Sequence, residues 1–401
     1  MGRGRARIAL FVVPLTAWVV LTPAPAHAVP ANLDVHVGAF LGAMPAASGA
    51  DADGMRFYAP TLKVHIGDTI TFHMDGFHTA TLLPEGTDVN AWVEDQAQAA
   101  NGPYSFIVSD PDDGGFKGNN AALFPSIDGA PAACGDVSTP CDAGANVVNS
   151  GIPFGPGVTF TVAMTNVTVG RSVWVLCLVH NNMRLRIQVV GAATAATTQA
   201  EIDAYATATQ RSDAEQAGAL HEKLVSSRSK HVTANGTVVW DAFAGFDGPG
   251  FALDEMYPRK LIIHKGQRVR WHFDQLIYED HTVTLPFKKA QAITNRSFVP
   301  LCDPDDTVGG DRVPADLPPP TFCSTGTVEF AIPNKFVLAQ GDGVFRGRGD
   351  LSNSGVNGAN IRKGRDPYTL KFAKVSSKRG FRYMCLIHGA SMSGRIVVKP
   401  A

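Results

Sequence analysis

The sequence predicts an all-β protein in which two β-sandwich domains are joined by a helical linker. Three observations carry this: a series of short alternating strands that occurs twice, an abundance of turn residues, and one long proline-free stretch between the copies. Leu62-Lys-Val-His-Ile-Gly-Asp-Thr-Ile-Thr-Phe-His-Met-Asp75 aligns with Leu261-Ile-Ile-His-Lys-Gly-Gln-Arg-Val-Arg-Trp-His-Phe-Asp274. Each reads as strand, glycine turn, then a strand whose apolar residues (Ile70, Phe72, Met74; Val269, Trp271, Phe273) share one face. Further on, Asn149-Ser-Gly-Ile152 matches Asn353-Ser-Gly-Val356, and alternating strands follow at 158–162 and 368–372. The last shared strands, 172–176 and 380–384, each run directly into a cysteine. The chain holds 40 glycines and 26 prolines, enough turn formers for many short strands.

From the N-terminus, residues 1–28 read as a secretory signal peptide. Met-Gly-Arg-Gly-Arg-Ala-Arg is basic, Ile8 to Leu21 is apolar but broken by Pro14, and Ala26-His27-Ala28 fits a small-x-small cleavage site. The apolar stretch falls short of the ~20 residues a spanning helix needs. Domain 1 then covers 29–192, a helical linker 193–230 and domain 2 231–401. In the linker, Thr198-Gln-Ala-Glu201 fits a capping box, and Ile202, Tyr205, Leu220 and Leu224 fall on one partly apolar face. Each domain carries a long, largely loop-like insertion, within the 99 residues from His78 to Cys177 and the 104 from His281 to Cys385. Such insertions are the expected source of partner specificity.

The net charge of −1 hides an asymmetry: residues 29–190 hold 6 basic and 15 acidic side chains (−9), residues 231–401 hold 22 and 16 (+6). Docking of the halves on each other, steering of redox partner proteins and ordinary solvated surfaces all accommodate this. The cluster Arg362-Lys-Gly-Arg365 has no interleaved aromatics, which argues against nucleic-acid binding.

The chemistry lies in a short string that also occurs twice, Cys177-Leu-Val-His180-Asn-Asn-Met183 and Cys385-Leu-Ile-His388-Gly-Ala-Ser-Met392. Thiolate, imidazole and thioether in one tight loop form a ligand set suited to copper cycling between Cu(I) and Cu(II). Each half offers a second imidazole upstream, His78 in Phe-His-Thr-Ala-Thr-Leu and His281 in Asp-His-Thr-Val-Thr-Leu, with four extra residues preceding His281. The candidate metal ligands are therefore His78, Cys177, His180 and Met183, and His281, Cys385, His388 and Met392. The other four of the six cysteines leave one pair per half, Cys134–Cys141 and Cys302–Cys323, and an exported chain allows both to oxidise.

At these residues each half resembles a cupredoxin, the plastocyanin and amicyanin class of blue copper proteins. The resemblance covers nearly all of 30–190 and 232–400, apart from the insertions. It implies a Greek-key β-sandwich with one type 1 copper at its end, held by the quartets named above. A secreted or periplasmic protein that moves single electrons between unidentified redox partners is the function it implies. The related two-domain copper oxidases and nitrite reductases carry a histidine beside the blue-copper cysteine. Here Leu176, Leu178, Met384 and Leu386 stand in those positions, and no His-x-His pair occurs. The expectation is thus a non-enzymatic electron-transfer protein with no catalytic residue. Three alternatives stay open: an oxidase-like or nitrite-reductase-like enzyme with an interface copper site, a copper carrier or store, and an extra metal site from the equivalent pairs His65/His264 and His73/His272.

Overall fold

Along Thr69–Met74 and Arg268–His272, side chains alternate between buried and part-exposed, the period-two pattern of a strand with one face on a core. The structure is a computed structural model that describes residues 30–38, 52–99, 101–110, 115–125, 134–153, 157–304, 312–318 and 321–401. The proposed leader and its cleavage site lie outside the described residues.

In the first half, Asn32–Val37, Thr69–Met74, Val158–Ala163 and Cys141–Asp142 form one sheet in that order. Leu62–Val64, Arg184–Val189, Ser172–Leu176, Thr81–Leu82 and Val148–Asn149 form a second. Val35, Phe72 and Met74 from one sheet and Val175, Leu185 and Ile187 from the other belong to one buried core, so the two sheets stack as a sandwich. The second half repeats the plan. Val238–Gly248 runs parallel to Arg268–His272, which is antiparallel to Tyr368–Phe372, just as Asn32–Val37, Thr69–Met74 and Val158–Ala163 are related. The facing sheet runs Lys260–His264, Ser393–Lys399, Phe381–Met384, Thr284–Leu285 and Ser352–Asn353, strand for strand the order of its counterpart. Trp271, on Arg268–His272, is fully buried and lies edge-on to Tyr383 of the facing sheet at 5.4 Å. Truncating such a ring costs on the order of 3–5 kcal/mol.

The linker is a helix, Gln199–Ser226, started by the capping box: Thr198 Oγ1 accepts from the Glu201 amide at 3.3 Å and Glu201 accepts from the Thr198 amide at 2.8 Å. Its buried stripe is Ile202, Ala206, Gln210, Ala214, Ala217, His221 and Leu224; Tyr205 and Leu220 are only half-buried. The alanines let the helix lie close on Phe251–Tyr257, where Ala217 and Leu224 pack with Leu253 and Tyr257. Asp213 on the same stripe binds Arg56 of the first half at 2.7 Å.

The insertions differ from the expectation of free loops. Gly115–Gly118 of the first half pairs with Thr327–Ile332 of the second and, on its other side, with Ile107–Asp110; Val299–Asp303 and Val313–Pro314 complete one five-stranded sheet. The short strand Ala52–Gly54 likewise extends the second half's sheet through Phe251–Tyr257. Charge follows the same seam: Arg312 binds Asp110 at 3.0 Å and Glu329 at 2.5 Å, with Lys117 also on Glu329. Both disulfides are present, Cys134–Cys141 and Cys302–Cys323, which fits an oxidising compartment. Among the described residues, no helix is long and apolar enough to cross a membrane.

Candidate metal centres

Each sandwich ends in a turn that folds the Cys-His-Met loop back on its own backbone. In the first half the Cys177 amide donates to the Met183 carbonyl at 3.0 Å and the Met183 amide to the His180 carbonyl at 2.7 Å, which buries Met183 beneath the loop. In the second half the Cys385 amide donates to the Met392 carbonyl at 3.0 Å, and Met392 is fully buried. His78 lies just ahead of the strand Thr81–Leu82, and His281 ends the short strand Asp280–His281, ahead of Thr284–Leu285. The threonine after each is bonded to the cysteine loop: the Thr79 amide points at Cys177 Sγ (3.3 Å) and its hydroxyl accepts from the Leu178 amide. Thr282 repeats both bonds with Cys385 Sγ (3.4 Å) and Leu386.

These supports bring three ligand atoms together in each half. His78 Nδ1 and His180 Nδ1 are 3.0 Å apart, with Cys177 Sγ 3.9 and 3.6 Å from them. His281 Nδ1 and His388 Nδ1 are 3.1 Å apart, with Cys385 Sγ 3.9 and 3.7 Å away. A first-row ion about 2.0 Å from each nitrogen and about 2.3 Å from sulfur in a trigonal plane gives an N–S edge of roughly 3.7 Å. The residues fit such an ion, and the two triangles agree edge by edge. Burial opposes ionisation of the cysteines, but the paired imidazoles hold Cys177 and Cys385 well below the ordinary thiol range, toward the ligating thiolate.

Two glycines set the backs of the upstream rings. A Cβ on Gly38 would fall 2.2 Å from His78 Cδ2, and one on Gly245 would fall 2.1 Å from His281 Nε2. Both glycines have positive φ, +89° and +80°. Neither was singled out by sequence reasoning.

The remaining histidines go elsewhere. His65 Nε2 meets the Thr194 carbonyl, His264 Nδ1 the Pro400 carbonyl, His73 pairs with Asp34 and His272 with Asp241. Among the described residues none of these joins a metal-spaced cluster.

What sequence reasoning missed is the acidic ground between the two triangles. Glu279 and Asp254, both buried, form a third metal-spaced group with His388. Burial, with Glu279 nearby, pushes Asp254 up to about 8 against the pull of His388 and His281. Burial likewise opposes the charge on Glu279, but His180 and His388 hold it well below the usual carboxylate value. A cavity of about 440 Å³ opens beside this group. His78, His180, His388, Glu279 and Asp280 reach it, and its other walls are mainly apolar side chains such as Phe106 and Phe336.

No family model and no curated protein matches this sequence. Among solved structures the chain is similar to a multicopper oxidase, mgLAC, at 11% identity over 87% of this chain and 88% of that one, with a TM-score of 0.18. It is also similar to a blue copper oxidase from Nitrosomonas europaea at 12% identity over 92% and 86%, again with a TM-score of 0.18. Likeness this low places no residue. The titles, both oxidases, run against the expectation of a non-enzyme, and in this chain both triangles border one largely apolar cavity that Glu279 and Asp280 also reach.

Proposed function

We propose that the chain is an exported copper-dependent oxidoreductase with one mononuclear copper in each half. His78, Cys177, His180 and Met183 would hold the first ion and His281, Cys385, His388 and Met392 the second. The division into 29–192, 193–230 and 231–401 belongs to the same proposal. The carrying observation is the convergence of two matched thiolate–bis-imidazole triangles on one interdomain cavity. Copper supplies a one-electron couple when bound. The chain's own part is to hold two imidazole nitrogens and a thiolate in fixed triangles, so that little rearrangement accompanies a change of charge. Phe106, Leu123 and Phe336 keep water from the cavity and suit a small, largely apolar substrate, while Glu279 and Asp280 favour a donor or positive group on it.

The test is copper content with visible and paramagnetic-resonance spectra of the loaded protein, followed by turnover of small one-electron donors. Two blue centres, one lost in Cys177→Ser and the other in Cys385→Ser, and turnover blocked by filling the cavity with Leu123→Trp are the expected results. A chain that takes up no copper, or keeps both centres in either serine variant, overturns the ligand assignment. Failure of every donor to turn over overturns the enzymatic reading. A third equivalent of copper assigns an ion to Asp254, Glu279 and His388, the interface-site alternative.

A further inference from the structure

The two copies of the strand–histidine unit differ by four residues, which in the second half lie between Asp274 and His281. The structure gives this extra length a purpose. Asp247 Oδ2 accepts from the backbone amides of Ile277, Tyr278 and Glu279 at 2.7, 2.7 and 3.1 Å, which pins the segment in one conformation. Its outer side is tied to the ligand loop of the opposite half. Asn182, two residues past His180, donates to the Ile277 carbonyl at 2.8 Å, and Asn360 donates to the carbonyls of both Val179 and Tyr278 at 2.9 and 2.7 Å. The corresponding stretch of the second ligand loop is Gly389-Ala390, with no such side chains.

The segment so fixed delivers one carboxylate to two imidazoles. Glu279 Oε1 lies 3.0 Å from His180 Nε2, and Glu279 Oε2 lies 3.5 Å from His388 Nε2. The Nδ1 atoms of the same two rings are those turned toward Cys177 and Cys385. A metal-ligating histidine commonly donates its second N–H to a carboxylate that orients the ring and raises its donor strength. Here one residue does this for two rings in different sandwiches, 95 % buried, where a charge is felt more strongly than in water.

We propose that Glu279 is a shared positioning residue that couples the two copper centres, so that oxidation at one changes the potential of the other. This rests on the ligand assignment proposed above. The charge of Glu279 between the centres favours the more positive ion in both, and each added positive charge on one side draws on the same carboxylate. Coupling of this kind is reciprocal.

The test is spectroelectrochemistry on the copper-loaded full chain. In Glu279→Gln both midpoint potentials rise, and the reduced-to-oxidised ratio of each centre at fixed ambient potential rises about tenfold, or about 59 mV for a one-electron couple. A residue that only supports local packing would move one centre or neither. Should Glu279→Gln fail to fold, the potential of the second-half centre is compared between the wild-type chain and Cys177→Ser, in which the first centre is missing. Coupling requires those two values to differ. Equal values, or unchanged potentials in Glu279→Gln, overturn the inference and leave the ligand assignment standing. A wild-type chain without copper overturns both.

Discussion

The hydroxyl of Thr79 accepts a hydrogen bond from the amide of Leu178 at 2.8 Å, and the buried pair Thr282 and Leu386 repeats it at 2.7 Å. The bond ties the segment carrying the upstream histidine to the loop carrying the cysteine. Thr79→Val keeps the shape and orphans the Leu178 amide, which costs about 1–3 kcal/mol. Thr79→Ser should restore most of that. Chemical denaturation of the three proteins checks the energy. The first-half copper spectrum, shifted in the valine variant alone, checks the link to the site.

Gly38 and Gly245 allow selective removal of one centre. Gly245→Ala drives a methyl into His281 and should abolish the second-half copper while the first remains; Gly38→Ala should do the reverse. Copper equivalents per chain, falling from two to one in each variant, are the measurement. A variant that retains both ions shows that the ring has another place to go.

Asp136 provides a pH-dependent test away from the metal centres. The Ser138 hydroxyl and the amides of Ser138 and Thr139 all donate to its Oδ1, within the loop closed by Cys134–Cys141. The bond from Ser138 first, then those from Thr139, lowers its pKa to about 2. A depressed carboxylate contributes stability above its unfolded value of about 3.9 and loses it as pH falls through the folded value. The contribution is therefore complete at neutral pH and fades between about pH 4 and 2. Carbon-detected titration of Asp136 checks the pKa. Asp136→Ala should flatten that part of the acid-unfolding curve.

Arg312 is buried on Asp110 and Glu329, one from each half. Arg312→Met removes the cation and leaves two carboxylates facing each other beside Lys117. The expected loss is about 3–5 kcal/mol, as for other broken buried ion pairs. Calorimetry measures it. Combining Arg312→Met with Glu329→Gln should recover part of it.

The parts legible in the sequence are those specified locally. Cys177, His180 and Met183 occupy seven consecutive residues, so their spacing alone marks them, and His78 and His281 are found once the copies are aligned. Thr198 and Glu201 announce the linker helix because both partners of the capping box lie within one turn. Sequence did not reveal what distant residues decide together. Gly115–Gly118 has little strand character of its own and becomes a strand between two partners, Ile107–Asp110 and the distant Thr327–Ile332. Glu279 looked like one acid among many. The four extra residues ahead of His281 were a visible signal, but their meaning depended on where Asn182 and Asn360 would be.

The sheet woven from both insertions has a consequence for how this chain can be taken apart. A protease cut in the helix Gln199–Ser226 would sever the covalent path between the sandwiches without freeing either, because Gly115–Gly118 would still be laced to Thr327–Ile332 and Ala52–Gly54 to Phe251–Tyr257. Either fragment made alone would present raw strand edges to any neighbour. Though it reads as a tandem repeat, the molecule has become indivisible.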